Sequence, residues 1–93
     1  MKTDEELLED AEIGEKARDL LDTVLGERLI LDANAEVEDA KEALLAVDPW
    51  ETEEIRRLQK NAEVNNLFIL RIKMLMDRGE EAITEWRARK DES

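Results

Sequence analysis

The residues of this chain that could carry chemistry are almost all carboxylates. They form three short acidic clusters, which are Asp4–Glu6, Glu36 with Glu38–Asp39, and Glu51 with Glu53–Glu54. Grouped carboxylates can bind a divalent cation or exchange protons with a substrate. None of these clusters has the spacing of an EF-hand loop, and we expect all three to lie on solvated helix faces.

Several residue types that catalysis and metal binding commonly use are missing, because the chain contains no Cys, no His and no Tyr. Their absence excludes disulfides, thiolate zinc sites and every Ser-His or Cys-His constellation. It also excludes the Glu-x-x-His pattern of di-iron bundles. We therefore expect a protein that is not an enzyme, with no catalytic residue, no cofactor and no metal site.

The formal net charge of −12 is unevenly distributed along the chain. Residues 1–54 hold 5 Lys/Arg against 19 Asp/Glu, a balance of −14, whereas residues 55–93 hold 9 against 7, a balance of +2. Such an acidic surface repels phosphate groups, so direct binding to nucleic acid or to a membrane is not expected. A basic protein surface is the more natural electrostatic partner.

The best candidate for a binding surface is the segment Val64–Met76, in which nine of thirteen residues are apolar. These residues do not share one helix face, and a helix that is apolar on most sides must be covered on most sides. Either this segment is the buried centre of a monomeric three-helix fold, or it mediates self-association, which we favour. The predicted interface residues are Leu67, Leu70, Met74, Phe68, Leu75 and Asn65.

Asn65 occupies a position on the main apolar seam of this helix where an apolar residue would be expected. A single buried Asn in a helical seam can fix register and the number of partners at some expense in stability. Partial exposure of Asn65 is the alternative.

Apolar periodicity predicts three helices, over residues of about 4–25, 27–47 and 53–78. Gly26 either ends the first helix or kinks it, because a helix-compatible sequence resumes at once. Gly79 is a candidate stop for the third helix, although the same register continues to about residue 88. In the second and third helices, apolar residues recur at steps of three and four, which is a heptad seam.

Composition and length favour a single all-α domain over residues 1–93. It would consist of a helical hairpin plus a long third helix, as a three-helix bundle or a coiled-coil-like fold. At 93 residues the core is small, and many such chains gain stability by associating, so we expect a homo-oligomer, with a dimer favoured. The chain has no apolar run of membrane-spanning length and an acidic start, so a cytoplasmic location is expected.

The pattern Ile13-Gly14-x-x-Ala17-Arg18-x-x-Leu21-Asp22-x-x-x-Gly26, followed by Val47-Asp48-Pro49 and Leu58-Gln59, resembles small helical proteins of unassigned function in tailed bacteriophages. The resemblance implies a phage origin and a location in the bacterial host cytoplasm or the virion. It also implies a role in particle assembly or in binding a host protein. It transfers no functional residue, because that group has no defined site.

The sequence supports two hypotheses about function. The first is a non-enzymatic interaction or assembly module that acts through the apolar segment of its third helix. The second is an acidic inhibitor or nucleic-acid mimic, whose carboxylate-rich first half occupies a basic groove on another protein.

Overall fold

The structure, a computed structural model, describes residues 1–92 and is all-helical over that range. It contains α1 (Asp4–Leu21), α2 (Val24–Ala46) and α3 (Thr52–Glu92). Both shorter helices pack on α3, and they touch each other much less. The predicted all-α class, with three helices and a long third one, is confirmed.

The first break in the helical chain falls at Asp22–Thr23, so the predicted first helix over residues 4–25 is too long. Thr23 caps α2, because its hydroxyl oxygen accepts a hydrogen bond from the Gly26 N–H at 2.9 Å. Gly26 lies inside the first turn of α2 and does not end a helix. A methyl group at Gly26 would lie 1.7 Å from the carbonyl oxygen of Leu20, so this turn has no room for a side chain.

The third helix is longer than predicted, because it runs through Gly79 to Glu92. Gly79 serves the packing of α1 on α3 and does not stop the helix. A methyl group built on Gly14 of α1 would lie only 2.7 Å from the Gly79 Cα, so the two backbones touch at this crossing. This close packing compensates for the roughly 1 kcal/mol that a glycine costs inside a helix relative to alanine.

The two shorter helices follow one another along α3, and both run antiparallel to it. Near the start of α1, Asp4 accepts a hydrogen bond from Arg89 at 2.9 Å, close to the C-terminal end of α3. In the middle of α2, Glu36 accepts one from Asn61 at 2.9 Å, in the N-terminal half of α3. The first two helices therefore do not form the predicted hairpin with each other, because each packs on its own stretch of α3.

The core is a narrow seam between α3 and its two partners. The predicted heptad seams of α2 and α3 face this interior, where their residues are mostly buried or half-buried. Within residues 1–92 the buried apolar residues are Leu7, Ala17, Ala33, Val37, Ala40, Leu58 and Ala82. Most of them are small, so the helices lie close together and the core between them contains little side-chain volume.

The molecule is long and flat, with principal extents of 64 × 31 × 15 Å. Its radius of gyration is 18.7 Å, whereas a compact domain of this length would have one of about 12 Å. A layer this thin covers each helix on one side only.

Candidate interaction surface

The apolar segment Val64–Met76 lies in the middle of α3, at the junction where α1 gives way to α2. Its inner side faces α2 and α1 through Ile69, Ile72 and Met76, which are half-buried. The rest of the segment projects away from that seam and remains accessible. The surface thus arises because one uninterrupted helix carries more apolar residues than its two partners cover.

Three of the predicted interface residues form one exposed stripe, which we call the outer stripe: Leu67, Leu70 and Met74. At about 100° per residue they fall within about 60° of arc on α3. Their exposed fractions are 41%, 48% and 41%, which are high for large apolar side chains. The structure therefore places these three residues together, on the side of α3 turned away from α2.

Phe68 and Leu75 lie on a second side of α3, about 80–100° from Leu67. Phe68 is 38% exposed, whereas Leu75 is half-buried because α1 approaches the backbone there. A methyl group on Gly14 would lie 2.9 Å from the carbonyl oxygen of Leu75. These two residues flank the outer stripe and are not part of it.

Asn65 lies on the inner seam, about 160° from Leu67, and is half-buried. Its side-chain amide donates to the carbonyl oxygen of Asn61 at 2.9 Å, one turn earlier in the same helix. Asn61 in turn donates to Glu36 of α2 at 2.9 Å. The structure thus separates Asn65 from the five apolar interface residues and satisfies its amide within one chain.

An open apolar cleft of about 660 Å³ lies where α1 gives way to α2 beside α3. Its lining was not anticipated from the sequence, because the cleft depends on the break at Asp22–Thr23. The residues around it are Leu21, Glu27, Ile30, Leu31, Ile69, Ile72, Lys73 and Met76. The middle of α3 is consequently flanked by accessible apolar surface on more than one side.

Many charged side chains of α3 form no ion pair within residues 1–92. Near its start, hydrogen bonds from Arg57 hold the pKa of the Glu54 carboxyl below its usual value. Along the rest of α3, several cations form no ion pair with any residue in 1–92. They are Arg56, Lys60, Arg71, Lys73, Arg78 and Arg87. The outer side of α3 therefore combines apolar residues with unpaired charges.

Between residues 1 and 92, no polar or charged side chain is buried, and no three acidic side chains are grouped so that they could hold a metal ion. Within that range no helix combines the length and apolar character needed to cross a membrane. The apolar middle of α3 is thus the most distinctive surface of the described chain.

Comparison with models of protein families, with curated proteins and with solved structures finds no match to this chain.

Proposed function

We propose that this protein is a non-enzymatic assembly module that associates with a second copy of itself through the outer stripe of α3. A dimer is the favoured product. The partner surface is protein, and neither nucleic acid nor membrane takes part. From the resemblance in sequence alone, we further propose that the setting is the assembly of a phage particle.

The observation that supports this proposal best is the surface area of the folded chain. The chain exposes 7373 Å², whereas a compact monomer of 10.8 kDa would expose about 5,500 Å². A standard protein interface buries about 800 Å² on each partner. The excess of roughly 1,800 Å² is therefore large enough to accommodate such an interface.

The small core supports the same conclusion. Leu7 is the only large side chain between residues 1 and 92 that is fully buried, while Leu67, Leu70 and Met74 are each more than two-fifths exposed. Burying apolar surface contributes about 25 cal/mol per Å². Association through the outer stripe would add the apolar burial that the monomer lacks.

The proposal is tested by light scattering over a concentration series. We expect a mass of twice 10.8 kDa at high micromolar concentration. A mass that stays at 10.8 kDa would contradict the proposal.

A single substitution tests whether the outer stripe is the interface. Full burial of a leucine is worth about 1.5–3 kcal/mol, and 41% of each Leu67 remains to be buried in a symmetric dimer, so Leu67→Glu should raise the dissociation constant at least about tenfold. The matched control is Leu45→Glu, because Leu45 is 89% exposed and lies on α2. If both variants weakened the dimer equally, added negative charge and not the outer stripe would be the cause.

A further inference from the structure

We propose that the second copy packs against α3 in the antiparallel direction, so that the cations Arg56 and Lys60 of one α3 face the carboxylates Asp77 and Glu81 of the other. This inference rests on the self-association proposed above and adds its geometry. The occupant of the surface is the same surface of another copy.

The outer stripe is the centre of a longer series on α3, which we call the outer seam. Its members follow steps of four and three along the whole helix: Arg56, Lys60, Glu63, Leu67, Leu70, Met74, Asp77 and Glu81. All eight are exposed, whereas the series that faces α1 and α2 is buried or half-buried. Alternating steps of this kind produce one continuous side of a helix that suits a second helix. Thus α3 carries two heptad seams, and only the inner one is occupied within the chain.

Charge is ordered along the outer seam. Arg56 and Lys60 lie before the apolar centre, and Asp77 and Glu81 lie after it. None of these four side chains forms an ion pair with another residue in 1–92. A surface that is positive at one end and negative at the other is complementary to its own reverse.

The antiparallel direction brings opposite charges together. A two-fold axis between positions 68 and 69 places Leu67 on Leu70 of the second copy, which forms the apolar centre. The same register places Lys60 on Asp77 and Arg56 on Glu81, and the symmetry repeats each pair. Opposite charges in such positions guide the choice of partner and orientation in paired helices.

The parallel direction brings like charges together, because every residue would then face its own copy. Arg56 would meet Arg56, Lys60 would meet Lys60, and the acids would meet likewise. Such juxtapositions are unfavourable and exclude wrong orientations. The apolar centre alone would allow either direction, so the charges decide.

Two contacts oppose the antiparallel direction. The same register places Glu63 of one copy on Met74 of the other. It also brings Arg78 of one copy near Arg57 of the other, on the flank of the seam. Arg57 is already paired with Glu54 of its own chain, with nitrogen-to-oxygen distances of 2.6 and 3.0 Å. The repulsion from Arg78 is therefore reduced, and the pairs along the seam prevail.

Charge reversal tests the orientation. One variant carries Arg56→Glu with Lys60→Glu, and a second carries Asp77→Lys with Glu81→Lys. All four positions are exposed, so both variants should keep the helix content of the natural chain in circular dichroism. We expect each variant alone to dimerise about tenfold or more weakly, since the pairs at positions 60 and 77 and at positions 56 and 81 all become repulsive.

An equimolar mixture of the two variants should recover the affinity of the natural chain, because the same charged pairs are then attractive again. A chain carrying all four changes should recover it as well. The control is Lys16→Glu with Arg28→Glu, two exposed positions on α1 and α2 that give the same change in net charge as the first variant.

Disulfide trapping gives an independent test of the orientation of the two α3 helices, because the natural chain contains no cysteine that would interfere. In the antiparallel dimer, the two copies of position 60 are about 25 Å apart, too far for a disulfide. Oxidation should therefore link a Lys60→Cys chain to an Asp77→Cys chain, and should not link two Lys60→Cys chains.

The outcomes separate the two proposals. The antiparallel dimer is supported if each charge-reversal variant dimerises weakly alone, the mixture recovers the natural affinity, and the mixed disulfide forms. If the charge-reversal variants dimerise as tightly as the natural chain, or if oxidation links two Lys60→Cys chains, the antiparallel orientation is wrong. Self-association itself would still hold. A natural chain that stays monomeric overturns both.

Discussion

The crossing of Gly14 and Gly79 gives a sharp test of how closely α1 packs on α3. Replacing either glycine by alanine adds one methyl group between two helix backbones. That methyl would lie 2.7 Å from the Gly79 Cα, or 2.8 Å from the Gly14 Cα. Because the obstructing atoms are backbone atoms, they cannot rotate away, and the helices must move apart.

Two effects of opposite sign determine the change in stability. Alanine favours a helix over glycine by about 0.8–1.0 kcal/mol, which stabilises the variant. Overpacking a closely fitted contact costs about 1–3 kcal/mol, and the separation of the helices also loosens the contacts of Ala17 and Ala82. We expect the loss to exceed the gain by about 1 kcal/mol, which lowers the midpoint of thermal unfolding by about 4–8 °C.

The measurement is thermal unfolding followed by circular dichroism at one fixed protein concentration, since the proposed dimerisation would couple to the apparent stability. The control is Asn34→Ala, at an exposed position of α2, where only the helix preference changes. It should raise stability by a few tenths of a kcal/mol. If Gly14→Ala raised the unfolding temperature as Asn34→Ala does, the two backbones would not be in contact.

Two further substitutions test the assignment of faces on α3. Asn65→Leu should raise the unfolding temperature by several °C, because it adds apolar burial beside α2, and should leave the oligomer unchanged. A broader distribution of masses would instead support a role of Asn65 in fixing register. Ile72→Glu, on the inner seam, should unfold the chain in circular dichroism, whereas Leu70→Glu should only dissociate it in sizing. The same result for both would mean that the two sides of α3 have been assigned wrongly.

The helical class and the seams could be predicted because their signals are local. Apolar residues at steps of three and four reveal which side of a helix is buried, whatever it is buried against. At about 100° per residue, the same spacing places Leu67 and Leu70 on a different side of α3 from Ile69 and Ile72. Exposure in the structure agrees with that separation, while the interface role of these residues stays a prediction.

The helix ends and the cleft were harder to predict, because they depend on contacts between distant residues. A glycine within a helical pattern signals either a stop or a close approach, and the sequence does not distinguish them. Gly79 continues its helix because Gly14, 65 positions earlier, lies against it. Similarly, the chain breaks at Asp22–Thr23 and not at Gly26, because the Thr23 hydroxyl caps the start of α2.

The least negative part of the chain and its main exposed apolar surface lie on the same helix, α3. Each copy carries a net charge of −12, so two copies repel each other over roughly 8 Å at physiological ionic strength. That repulsion is least where the surface is least negative, and residues 55–93 balance to +2 while residues 1–54 balance to −14. Contact through α3 therefore lets the chains approach with the least electrostatic cost. In the proposed dimer the carboxylates of α1 and α2 would lie on the two outer sides, where a basic partner protein could reach them.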